Sequence, residues 1–233
     1  MDAFERAEEM AQLVPGFQYL YSGGGSREVI PRLLKMGWGL CAEGVEEVEA
    51  AWLAGMSPMD IYYAGREKRP GQIESSFGKC RFVSGSLEEM QEIDRISALR
   101  QLPGHLEVIG IRVIPDEYYD GKQTGFKASA LGALAREFRK LQNISVRGCF
   151  IEGDISSFRG KELGRHYRRC YETAKCVTTS LPCGMSFVNA GHCTEPLWQS
   201  REEQKESFQD VCRAAEIMRY QNDTAFYARL LVM

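Results

Sequence analysis

Apolar residues recur along this chain in two alternating rhythms. Short continuous runs suit buried strands, and longer stretches near a 3.6-residue period suit helices with one apolar face. Residues 4–14 predict a leading helix, which Pro15-Gly16 stops. Residues 17–21 are an apolar run ending at Ser22-Gly23-Gly24-Gly25. Ser26 then stands at an N-cap position ahead of Val29, Ile30, Leu33 and Leu34 on one helical face, closed by Gly37. The same order repeats. Strands are predicted at 39–42, 61–64, 80–83, 108–114, 146–151, 186–188 and 225–232. Helices are predicted between them at 45–53, 71–77, from Ser86 onward, 130–141, 164–177 and 202–220. In the helix at 130–141, Leu131, Leu134, Ala135, Phe138 and Leu141 share one face.

Strands alternating with helices imply right-handed βαβ units and a parallel sheet. Eight such units predict an α/β fold of the (β/α)8 TIM-barrel type, with 1–16 as the leading helix and 17–233 as one barrel domain. An open doubly wound sheet is the alternative. The length of 233 residues suits a barrel.

Composition narrows the function classes. Hydrophobic residues make up 44% and charged residues 26%, proportions that exclude wholesale disorder and a fibrous chain. Lys+Arg 29 against Asp+Glu 32 leaves a net charge of −3, so nucleic acid is not an expected partner. No apolar run reaches the roughly 18 residues of a membrane span, and the N-terminus has no signal-peptide pattern, so a cytoplasmic protein is expected. The eight cysteines contain no CxxC pair, which argues against structural zinc, and without an export signal a disulfide scaffold is not expected either. They are read as small apolar residues. His192-Cys193 is the single adjacent pair of metal-ligand types, and no metal site is expected from it.

In a barrel of this kind any site lies at the C-terminal strand ends. Those ends carry Ser22, Glu43, Gly65, Gly85, Pro115, Glu152, Asn189 and the surroundings of Arg229. Ser22-Gly23-Gly24-Gly25 reads either as a phosphate-cradling turn or as an ordinary βα loop. Glu152 and Asp154 read as an acid–base pair or as a solvated rim. Arg112 lies inside an apolar strand and cannot stay unpaired there. It either pairs with Glu43 or Glu152 or holds an anionic ligand.

Several of these stretches resemble a known family. Tyr19-Leu20-Tyr21-Ser22-Gly23-Gly24, followed by Val29-Ile30-Pro31-Arg32-Leu33-Leu34-Lys35-Met36-Gly37, is similar to a Tyr-Ala-x-Lys-Ala-Asn strand and its Val-Leu-x-x-Leu-x-x-x-Gly helix. Glu46-Glu47-Val48-Glu49 with Ala54-Gly55 looks like that family's next helix. Ile61-Tyr62-Tyr63-Ala64-Gly65-Arg66-Glu67-Lys68 looks like Ile-x-Phe-Ala-x-x-x-Lys, Ile111-Arg112-Val113 like Leu-Arg-Ile, and Val146-Arg147-Gly148 like its Arg-Gly. The family is that of the pyridoxal-phosphate decarboxylases acting on ornithine, diaminopimelate and arginine, related in fold to alanine racemase. The resemblance is good over residues 17–95 and thin beyond 120.

The resemblance implies pyridoxal phosphate as cofactor, with Arg112, Asn189, Gly191 and Arg229 at cofactor-binding positions. The departures imply that the family mechanism is lost. Ser22 stands where the family has its Schiff-base lysine, and a hydroxyl cannot form an imine. The family's ring-stacking His becomes part of Phe150-Ile151-Glu152-Gly153, its three-glycine loop becomes Asn189-Ala190-Gly191-His192-Cys193, and its Glu-Pro-Gly-Arg becomes Phe226-Tyr227-Ala228-Arg229. The family's second, β-type domain has no counterpart here, so a lone barrel is expected. Three functional readings stand. The first is a non-catalytic barrel that binds a small anionic or amino-acid-like ligand, with the cofactor non-covalent at most. The second is a divergent decarboxylase or racemase with Glu152 or Lys68 recruited. The third is an interaction subunit, as a homodimer or docked on a complete homologue.

Overall fold

A computed structural model of the chain describes residues 18–23, 28–100, 104–152, 160–181, 184–189 and 229–232, together with Glu5 and Glu8. The strands are β1 (Gln18–Tyr21), β2 (Gly39–Ala42), β3 (Ile61–Tyr63), β4 (Arg81–Ser84), β5 (Glu107–Ile114), β6 (Phe126–Lys127), β7 (Ile144–Ile151), β8 (Phe187–Asn189) and β9 (Arg229–Val232). The helices are α1 (Ile30–Met36), α2 (Val45–Leu53), α3 (Pro70–Ser76), α4 (Leu87–Arg100), α5 (Leu131–Phe138) and α6 (Gly160–Ser180). Apart from Glu5 and Glu8, the expected helix at 4–14 lies outside the described residues, as do the expected helix at 202–220, the loop around Gly191, and Asp154.

Every pairing is parallel. β1 joins β2, β2 joins β3, β3 joins β4, and β4 joins β5. β5 then joins β7, β7 joins β8, β8 joins β9, and β9 returns to β1. The sheet therefore closes on itself, and the barrel expectation holds over the open-sheet alternative. β6 adds one feature the hydrophobic pattern did not signal: a two-residue strand, Val113↔Phe126 and Ile114↔Lys127, laid against the end of β5.

The element ends follow local chemistry. Gly37 adopts φ 68°, and its N–H caps the end of α1. Pro70 opens α3, where a missing N–H does no harm. At the start of α4, the Glu89 N–H donates to Ser86 Oγ at 3.2 Å. The α1 face differs in one respect from expectation. Ile30 and Leu33 are buried, while Leu34 is turned outward and exposed.

Two apolar layers result. Outward-pointing strand residues such as Leu40, Ile61, Phe82, Ile111 and Val188 pack against Leu33, Val48, Ile73, Ile93 and Phe138 of the helices. Full burial of one such side chain stabilises by about 1.5–3 kcal/mol. Inward-pointing Leu20, Cys41, Tyr62, Val83, Phe150 and Phe187 fill the barrel interior. The rings of Tyr62 and Phe187 meet edge-on at 5.2 Å, and Phe150 lies 5.6 Å from Tyr62. The ladder between β5 and β7 shifts register between Ile109↔Val146 and Gly110↔Gly148, so Arg147 is an extra residue on β7. Before this bulge Ile144 and Val146 face the helices; after it Cys149 and Ile151 do. The bulge thereby turns Phe150 into the barrel interior, and Glu152, two residues on, follows it to the mouth.

Candidate functional site at the barrel mouth

The C-terminal ends of the parallel strands bring Arg112 and Glu152 together, with Glu43 and Glu47 at the end of β2. Cys41, inward-facing on β2, is wholly buried, and its thiol is pushed up to about 12, first by burial and then by the charge of Glu43. Arg112 lowers the same thiol, while Glu152 and Glu47 raise it further. Arg112 has only 3% of its surface exposed. Its Nε lies 2.6 Å from Glu152 Oε1, and its Nη2 donates to the Ala64 carbonyl at the end of β3. Of the partners weighed for Arg112, the structure selects Glu152. Glu43 is exposed on the rim, and its backbone N–H donates to Glu47 Oε2 at 2.7 Å.

Lys68 occupies a different environment. Its Nζ donates to Gly65 O at 2.8 Å, Val83 O at 2.7 Å and Glu89 Oε1 at 2.9 Å. The second oxygen of Glu89 accepts from the Gly85 N–H at 2.8 Å. Burial holds the Lys68 ammonium below the ordinary lysine range, against the opposing pull of Glu89. This cage ties the ends of β3 and β4 to α4. An ammonium has three hydrogens, and all three are taken.

The segment after β5 folds back over the same end. A side chain at Gly85 would meet Thr124 Cγ2 at 2.8 Å, and one at Gly125 would meet Arg112 Cγ at 3.1 Å. This return places a loop on one side of Arg112. Asp116 pins its base, accepting from the Ser129 N–H at 3.0 Å. That hydrogen-bonding with Ser129 holds the Asp116 carboxyl below its usual range.

The other sequence-predicted residues fall as follows. Ser22 directly follows β1 and is half-buried at the mouth. Asn189 ends β8, fully buried, level with Phe150 and Leu231. Gly191 lies outside the described residues. Arg229 begins β9, level with Phe187, so it stands at the start of that strand rather than at its mouth end. Residues the sequence reading had not singled out for the site are Cys41 and Glu47; both were visible only as members of a strand and a helix. Among the described residues no group of three or more His, Cys, Asp or Glu is placed to hold a metal ion. Likewise, no described helix is long and apolar enough to cross a membrane.

The two residues weighed for an imine offer no free amine. Ser22 offers a hydroxyl, and Lys68, the one buried lysine among the described residues, has no free N–H. The mouth is better described as one buried guanidinium among carboxylates.

A closed parallel (β/α)8 barrel with a charged mouth is the class that this fold and site define. No family model matches the chain, and no curated protein matches it. Solved structures do. The arginine decarboxylase of Paramecium bursaria Chlorella virus, bound to agmatine, superposes with a TM-score of 0.74 at 12% identity, covering 99% of this chain and 60% of that one. The diaminopimelate decarboxylase of Helicobacter pylori, complexed with L-lysine, gives 0.71 at 14% identity, covering 99% and 59%. The ornithine decarboxylase of Entamoeba histolytica gives 0.71 at 14% identity, covering 99% and 62%. The chain thus spans about three-fifths of the length of these proteins, and what it shares with them is the barrel fold. They are the enzymes whose motifs the first third of the sequence resembles.

Proposed function

We propose that this chain is a divergent relative of the amino-acid decarboxylase barrels that binds a small anionic or amino-acid-like ligand at its mouth without forming an imine. The observation that carries the reading is the three-way engagement of Lys68, which leaves this lysine no free amine to stand in for the one that Ser22 replaces. Arg112 and the carboxylates of Glu43 and Glu152 supply charges of both signs for a ligand with a carboxylate and an ammonium group. Any pyridoxal phosphate taken up is held non-covalently on this reading. A recruited Lys68 is disfavoured, because freeing its amine requires breaking three buried hydrogen bonds.

The test has two parts. Calorimetric titration of the wild-type protein with a panel of α-amino acids and small carboxylates is expected to give binding to at least one. Incubation with pyridoxal phosphate followed by borohydride is expected to leave no adduct on any peptide. A pyridoxyl-lysine found by mass spectrometry would overturn the reading.

A further inference from the structure

We infer that Arg112 is the acceptor for a monocarboxylate ligand and that Glu152 is its built-in competitor, so that the ligand binds by displacing Glu152 from the guanidinium. The inference rests on the reading of the mouth as a ligand site and adds which bond is exchanged. The two partners of this ion pair are unequally held. Arg112 is buried to 3% exposure, anchored by a strand in the barrel wall and by the Ala64 carbonyl from β3. Glu152 keeps 40% of its side chain exposed, at the first position after β7. One end of the pair is therefore fixed in the wall and the other stands at the solvent edge.

Charge explains why an exchange is favoured over simple addition. A buried guanidinium needs a counter-ion, and a carboxylate provides it by accepting along one edge. The Arg112 Nε lies 2.6 Å from Glu152 Oε1 as an ion-pair contact without a well-directed hydrogen bond, while Nη2 donates to the Ala64 carbonyl. Glu152 already pairs with it, and Glu43 and Glu47 bear with it on the same Cys41 thiol. Lys68, the second buried cation nearby, is neutralised by Glu89. An added anion would raise the negative charge of this volume, and a dianionic phosphate would raise it further. A monocarboxylate that replaces Glu152 leaves the local charge unchanged, because the Glu152 side chain moves into water.

Acetate is the simplest probe. Thermal unfolding is followed for the wild type, Glu152→Gln, and Glu152→Gln combined with Arg112→Met, in sodium acetate against sodium chloride at matched ionic strength, and against inorganic phosphate. The Gln variant is expected to be stabilised by acetate with an apparent affinity at least about ten-fold tighter than the wild type, and the double variant is expected not to respond. Equal responses of wild type and Glu152→Gln, persistence of the response in the double variant, or a stronger response to phosphate would each overturn the inference. If Glu152→Gln does not fold, the Arg112 Nε–H resonance of the wild type serves instead. It is expected to move on acetate addition but not on chloride addition, and its failure to move overturns the proposal. An amino-acid panel that fails on the wild type while acetate still rescues Glu152→Gln would count against the proposed function alone.

Discussion

Arg112 and Glu152 meet across neighbouring strands, with 2.6 Å between Nε and Oε1, because a bulge at Arg147 turns the far half of β7 by one residue. The backbone N–H of Glu152 itself continues the ladder, donating to Val113 O at 2.9 Å. The pair thus forms where β7 ends and the ladder opens to solvent.

The barrel interior leaves no room at Gly148. A methyl group there would fall within the Phe187 ring, and Phe187 is in turn wedged between Tyr62 and Phe150. Gly148→Ala is expected to destabilise the fold by about 1–3 kcal/mol or more through overpacking. Urea unfolding monitored by circular dichroism checks this, and a midpoint unchanged from wild type would contradict it.

Lys68 and Glu89 are expected to behave as a coupled buried pair. Lys68→Met alone leaves the Glu89 carboxylate buried with only the Gly85 N–H, and a loss of about 3–5 kcal/mol is expected. The double change Lys68→Met with Glu89→Leu is expected to lose less than the sum of the two single changes. A double-mutant cycle in urea measures the coupling, and strict additivity would rule it out.

Cys41 makes stability depend on alkaline pH. Its thiol is raised from 9.0 to about 12 in the fold, so the native state holds its proton where the unfolded chain has lost it. The corresponding stability is fully present below pH 9 and is lost as pH rises from 9 towards 12. By pH 10.5 the loss is about 2 kcal/mol, at 1.4 kcal/mol per unit. Urea midpoints at pH 8 and 10.5 are expected to fall further apart in the wild type than in Cys41→Ala. Equal separations would show that the thiol does not titrate in this way.

Asp94 holds the turn before β7. It accepts from the Asn143 backbone N–H at 2.6 Å and from the Asn143 amide at 3.2 Å. Asp94→Ala is expected to lower stability by about 1–3 kcal/mol, since the backbone donor loses its partner. Hydrogen exchange at Asn143 should quicken in the same variant, and unchanged protection would point to a replacement acceptor.

Much of the barrel is legible in the amino-acid sequence. The runs at 39–42 and 61–64 became β2 and β3 almost unchanged, because a strand buried on both faces needs consecutive apolar residues. Gly37 and Ser86 marked helix ends for local steric and hydrogen-bonding reasons that act within a few residues. The site was legible only in part. That Arg112 needed a partner followed from its apolar strand, but Glu43 and Glu152 were equal candidates. Lys68 looked recruitable, since its three acceptors come from positions 65, 83 and 89, which no local pattern joins.

The amino-acid sequence alone determined the alternation of strands and helices, the apolar faces that bind the two layers, and the absence of a lysine at the end of the first strand. These depend on side-chain chemistry and on periodicity over a few residues. Only the tertiary structure decided which way Phe150 and Glu152 point, since one bulged residue reverses every side chain beyond it. It likewise decided that Lys68 is spent and Arg112 is paired, because closure of the barrel brings together strand ends that are far apart in the chain.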